Sequence, residues 1–233
     1  MIPPLPAGDD GSGDSVASGM AGEHAILGLL ALSESGTGHG YDLARQFSPD
    51  APLGNVVRLE PGMVYHHLKK LERLRWVSAV PDAAPGRPAR RLFALSSSGR
   101  SELGRWLAEP VVHTREIRLD FLVKLYLALL LDPVLAVRLV DEQRNLCARL
   151  VDSLANRLRS VQAEDDEDAV TSRFSDMVLD MRLAQTRAAL AWLDRVGREA
   201  ATAVERADTP GRVAERSDVA PAPARRDDQG RKG

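Results

Sequence analysis

Leu59-Glu60-Pro61-Gly62-Met63-Val64-Tyr65-His66-His67-Leu68-Lys69-Lys70-Leu71-Glu72-Arg73-Leu74 is the stretch from which the rest of the chain is best read. Pro61 suits the first turn of a helix, where a missing N–H costs nothing. Val64, Leu68, Leu71 and Leu74 follow at spacings of four, three and three, which is one apolar helical stripe. The remaining positions, Met63, His66, His67, Lys69, Lys70 and Arg73, carry groups that bond to phosphates or base edges. A helix with a leucine back and a basic front fits a major groove. It fits equally well as an amphipathic surface helix, so the flanks must choose.

Charge placement is the first flank signal. The 233-residue chain has a net charge of −2, yet Arg58 to Trp106 holds ten basic residues against four acidic ones. A local +6 inside an otherwise acidic chain is a localised basic footprint. Order is the second signal. An apolar helix runs from about Met20 to Ser33, a turn follows at 34–38, and a second helix runs from Gly40 to about Phe47. After the basic helix, 76–80 and 90–95 read as two strands around a loop of prolines, glycine and arginine. Ser96 to Ser98 can cap a fourth helix that Glu109-Pro110 ends. Three helices, a hairpin and a helix make a winged helix-turn-helix.

Beyond residue 117 the pattern lengthens. Ile117, Phe121, Leu122, Leu125 and Leu129 mark one helix, and Asp132-Pro133 restarts the chain. Leu135, Leu139, Leu146, Leu150, Leu154, Leu158 and Val161 form the seam of a helix of almost thirty residues. An acidic turn leads to a last helix, whose core seam is read as Phe174, Met177, Met181, Ala184, Ala188 and Trp192. Two such helices leave apolar surface uncovered, and a second copy of the chain is the expected cover. The fold expected is mainly α: residues 1–20 as a disordered tail, 21–110 as a winged helix-turn-helix DNA-binding domain, 115–198 as long dimerisation helices and 199–233 as a disordered tail.

Other chemistries have little support. The adjacent His66 and His67 point about 100° apart on a helix and cannot chelate one ion together. His24, His39 and His113 are isolated, and the chain holds neither a phosphate-cradling glycine loop nor a nucleophile elbow. Cys147 has no cysteine partner within the chain and sits in a helix seam, where a small buried thiol is the ordinary outcome. No catalytic residue, metal or cofactor is expected. With no basic start and apolar centre at the N-terminus and no apolar run of about 18 residues, the expected location is cytoplasmic, away from membranes.

Five segments together resemble the PadR family of bacterial transcriptional regulators: Ile26-Leu27-Gly28-Leu29-Leu30, Gly38-His39-Gly40-Tyr41-Asp42-Leu43, Pro61 to Glu72, Gly86-Arg87-Pro88-Ala89-Arg90-Arg91-Leu92-Phe93-Ala94-Leu95, and Ser98-Gly99-Arg100. The helices after residue 117 resemble the C-terminal dimerisation domain of the longer members. Three positions depart from the family pattern. Glu60 stands where a short capping side chain is usual, Leu74-Arg75 where Glu-Gly is usual, and Ser98 where threonine is usual.

The resemblance implies a homodimeric repressor on a pseudo-palindromic operator, released by a small molecule. Met63, His66 and Lys69 are then expected at base edges, with Tyr65, Lys70 and Tyr41 at the sugar–phosphate backbone. Tyr65 is equally readable as core. Arg87, Arg90 and Arg91 of the wing are expected at phosphates or a minor groove. Trp106, Tyr126 and Trp192 are the aromatics available to line an effector cleft between the two domains. The alternative is a protein-binding adaptor that keeps the winged-helix shape without reading DNA.

Overall fold

Helix α1 (Ser12–Leu32) is the hub of a computed structural model that describes residues 12–81, 91–162 and 169–207. Its Ala21, Ala25, Ile26, Leu27 and Leu30 are all fully buried, because neighbours cover it on every side. These neighbours are α3 (Pro61–Arg73), α4 (Ser97–Ala108), α5 (Asp120–Leu131) and a small sheet. The helix begins at Ser12 rather than near Met20. No proline follows Pro6 before Ser33, so nothing in the backbone forbids the extra turns. Residues 1–11 and 208–233, and with them most of both expected tails, lie outside the described residues.

The sheet has three strands where the sequence pattern showed two. β1 (Thr37–His39), β2 (Val77–Pro81) and β3 (Arg91–Leu95) run antiparallel in the order β1-β3-β2. Thr37 pairs with Ala94 and Ala79 with Phe93. β1 is three residues of turn-like composition, too short to show an alternating pattern. Between β1 and α3 come α2 (Gly40–Arg45) and a short 3-10 turn at Pro52–Asn55.

Two departures from the family pattern have visible consequences. Glu60 makes no side-chain cap on α3, so the helix start relies on Pro61. At the other end Arg75 takes φ 60°, the left-handed region that favours glycine. Trp76 N–H bonds back to Leu71 O at 3.0 Å and Arg75 N–H to Glu72 O at 3.0 Å, so the helix closes as a Schellman turn without its usual residue. Ser98 hydroxyl donates to the Arg75 carbonyl at 2.8 Å and helps hold it there. Arg75→Gly is therefore expected to stabilise the fold by about 0.5–1 kcal/mol, the left-handed penalty less glycine's extra unfolded-state entropy. Thermal melting would register this as a rise of about 2 °C. A lower melting temperature would show that the turn is not strained.

The long helices are α6 (Pro133–Gln162) and α7 (Ala169–Ala207), packed along each other. Asp132 Oδ1 accepts from Val134 N–H at 2.9 Å and opens α6 beside its first-turn proline. Ala136, Leu139, Val140, Gln143 and Cys147 form the buried line of α6, flanked by half-buried Leu146, Leu150, Leu154 and Leu158. On α7 the buried line is Leu179, Leu183, Thr186, Leu193 and Ala200. This corrects the expected core seam, since Phe174, Met177 and Met181 are exposed. Both lines are apolar at helical spacing, so periodicity alone could not say which one α6 covers.

The two halves share α5. Its Val123 and Leu127 belong to the core built on α1, while Phe121, Leu125 and Ala128 belong to the core built on α6 and α7. Gly28 of α1 makes room for Leu127, whose Cδ1 lies only 2.4 Å from where a Cβ would stand. Gln143 adds a polar tie, accepting from Val111 N–H at 2.8 Å and donating to Val111 O at 3.0 Å. No helix of the described residues is long and apolar enough to cross a membrane.

Candidate nucleic-acid interface

Helix α3 buries Val64, His67, Leu68 and Leu71 against the core and turns Met63, Tyr65, His66, Lys69 and Arg73 outward. Two positions differ from the sequence reading. His67, placed on the basic front, is 3% exposed, and Leu74, placed on the apolar back, is 45% exposed. The left-handed turn at Arg75 redirects the chain just there, so Leu74 leaves the stripe.

The front of α3 faces the start of β3. Gly62, Tyr65, His66, Lys69, Glu72, Arg91 and Phe93 together line an open groove of about 350 Å³. Around Gly62 nothing lies within 4 Å of a would-be side chain, so a ligand backbone can approach closely. Arg91 rests over the Phe93 ring at 5.8 Å and reaches Glu72 at 3.4 Å, a loose surface pair that leaves its guanidinium available. Arg87 and Arg90 of the wing lie outside the described residues.

Tyr65 is no core residue. It is 49% exposed, and its ring edge lies against the Gly40 backbone, with Cε1 2.6 Å from where a Cβ would stand. Only glycine permits that approach, and it sets Tyr65 beside the start of α2, whose next residue, Tyr41, is 67% exposed. Lys70 is placed differently from the expectation. Its Nζ donates to Glu23 Oε1 at 2.7 Å, on the α1 side of the helix. Burial pushes the Glu23 carboxyl up, but the hydrogen bonds from His67 and Lys70 outweigh it and hold it below the ordinary range. The sequence carries a signal for Glu23 but not for its partners: Glu23-His24 is a polar pair within the otherwise apolar stretch 20–32, and a buried carboxylate requires partners.

The three aromatics expected around one effector cleft are divided between the two cores. Trp106 is buried in the α1 core, stacked on His24 at 4.4 Å, with Lys124 Nζ 4.8 Å from its ring centre. His24 is fixed in turn by Glu102 at 3.1 Å and the Met20 carbonyl at 3.0 Å. Burial lowers the pKa of the Lys124 ammonium to about 8, and its Nζ donates to the Glu109 backbone carbonyl. Tyr126 packs at the edge of the same core. Trp192 lines a cavity of about 630 Å³ between α7, α5 and a 3-10 turn at Thr114–Arg118. Ile117, Leu122 and Ala189 give that cavity apolar walls, and Arg115 and Arg118 stand at it.

The chain is similar to known proteins in two separate stretches. Residues 26–105 match the transcriptional regulator PadR-like family, and residues 117–199 match the C-terminal domain described as virulence activator alpha. A probable transcriptional regulator of Mycobacterium tuberculosis is 41% identical over 96 residues, 41% of this chain and 48% of that protein. The negative transcriptional regulator PadR of Bacillus subtilis is 28% identical over 106 residues, 45% of this chain and 54% of that protein. The chain thus matches about half the length of these curated relatives. Among solved structures, that of Bacillus subtilis PadR in complex with operator DNA is similar at 22% identity and a TM-score of 0.36, covering 76% of this chain and 98% of that one.

Proposed function

We propose that this chain, which residues 26–105 place in the PadR-like family of transcriptional regulators, binds duplex DNA as a homodimer and represses transcription until a small molecule releases it. One observation carries the DNA reading. The burial of Val64, Leu68 and Leu71 leaves His66 and Lys69 on an open face that shares a groove with Arg91. His66, Lys69 and Met63 project toward base edges, while Tyr41, Tyr65 and the wing arginines meet the backbone. Lys70 spends its charge on Glu23 and contributes little.

Pairing is supported by the exposed line Val170, Phe174, Met177 and Met181 on α7. Its steps of four, three and four are those of a coiled-coil seam left uncovered by the described residues. Repression is supported by the name of the Bacillus subtilis relative, a negative regulator. The Trp192 cavity, rather than the Trp106 and Tyr126 surroundings, is the place for an effector, which would act by favouring a spacing of the two reading helices that cannot span successive grooves.

Selection of bound duplexes from a random-sequence library tests this reading. The expected product is a pseudo-palindrome with half-sites about 10 bp apart, one helical turn. A well-folded chain that enriches no sequence and holds no duplex at low salt would instead be an adaptor for other proteins.

A further inference from the structure

We propose that Glu23, buried behind the recognition helix, is a positioning residue that sets the roll of α3 and hence where His66 and Lys69 meet the bases. The proposal rests on the DNA-binding reading above. Glu23 is 4% exposed, on a helix whose other buried side chains are alanine, isoleucine and leucine apart from the adjacent His24. A carboxylate there is costly unless it is paired, so it needs a reason beyond packing. Its Oε1 accepts from His67 Nδ1–H at 3.2 Å and from Lys70 Nζ at 2.7 Å. Both donors lie on α3, one turn apart. The apolar contacts of Val64, Leu68 and Leu71 hold α3 against the core but are non-directional and tolerate a roll. Two hydrogen bonds from one turn to one oxygen do not tolerate it.

The geometry converts roll directly into reading. His66 precedes His67 and Lys69 precedes Lys70, so each front residue is the chain neighbour of a gripped one. A 20° roll moves a side chain 5–6 Å from the helix axis by about 2 Å. A hydrogen bond to a base edge keeps its strength over only about 0.5 Å. Histidine at position 67 is itself unexplained by packing, since its Nε2 is buried and has no hydrogen-bond partner among the described residues. Leucine would fill the site without that orphan nitrogen. What histidine adds is the directed Nδ1–H to Glu23. The grip has a fixed base, because the next residue, His24, is stacked on Trp106 and bonded to Glu102.

The test measures affinity of the full chain for the duplex recovered by selection and for a scrambled duplex of equal length, well below the melting temperature. Glu23→Gln keeps the size of the side chain and removes its charge. His67→Leu keeps the packing and removes the directed donor. Both are expected to lower the selected-to-scrambled ratio about tenfold, the scale of one mis-read base pair per site. In Glu23→Gln the released Lys70 is expected to steepen the salt dependence on the scrambled duplex by about one ion per protomer. The lowered ratio does not follow if Glu23 and His67 only stabilise the fold. A ratio within about twofold of wild type in both variants would overturn the positioning role while leaving DNA binding intact. A wild-type chain that holds no duplex at low salt would overturn both.

Discussion

Lys69→Glu/Arg91→Glu is expected to weaken binding to the selected duplex by at least about a hundredfold while leaving the fold in place. Lys69 is exposed on the front of α3, and Arg91 opens β3 across the same groove. In water a unit charge at contact distance from a phosphate is worth about 1 kcal/mol. Reversing it replaces that attraction with a comparable repulsion. With two positions on each of two protomers the change is about 4–8 kcal/mol, and a hundredfold corresponds to about 2.7 kcal/mol. The fold loses the loose Arg91–Glu72 pair and the Arg91 contact over the Phe93 ring, each worth at most about 1 kcal/mol at the surface. Fluorescence anisotropy at about 0.1 M salt measures the affinity, and circular dichroism confirms the fold. Undiminished binding would place the DNA elsewhere on the molecule.

Leu127→Ala is the larger expected change in stability. Leu127 is fully buried and seated over Gly28 of α1. Removing three carbons from such a site costs about 3–4 kcal/mol, the transfer term plus the cavity that rigid helices cannot close. The consequence reaches both halves, because α5 carries Phe121, Leu125 and Ala128 into the second core. Denaturant unfolding is therefore expected as one transition that moves as a whole. Trp76 and Trp106 report on the first core and Trp192 on the second, so changes in their emission should coincide with the loss of helix. Separate transitions, with only the first displaced, would show that the halves fold independently.

That shared helix was hidden in the sequence. Composition shifts after Pro110, which invites a boundary there, yet alternate residues of α5 serve opposite cores and no local pattern says so. The winged-helix frame was legible because several local rules agree in it: Pro61 at a helix start, the apolar stripe behind a basic front, and serines at a cap. β1 was not legible, being only three residues long. The α7 seam was assigned to the wrong side because two apolar lines run along that helix, and only packing chooses between them.

Within the interface, Lys69, His66 and Met63 were readable as front residues from spacing alone. His67 and Lys70 were not, because what turns them inward is a carboxylate 44 and 47 residues away in the chain. The division of the proposed effector residues between two cores was hidden for a related reason. Trp106, Tyr126 and Trp192 were grouped for being aromatic, and nothing in one sequence tells which aromatics share a cavity. The strain at Arg75 was visible beforehand, since a helix end of this kind favours glycine and the chain offers arginine.

The salt dependence of binding to the selected duplex tests the central claim most directly. DNA binding through the exposed cations of two protomers, with Arg91 at the backbone and Lys69 in the groove between the phosphate rows, makes log affinity fall linearly with log salt at a slope of about −4 or steeper, and Lys69→Gln/Arg91→Gln is expected to make the slope shallower by about 3–4. A slope near zero, or a slope unchanged by that double substitution, would contradict it.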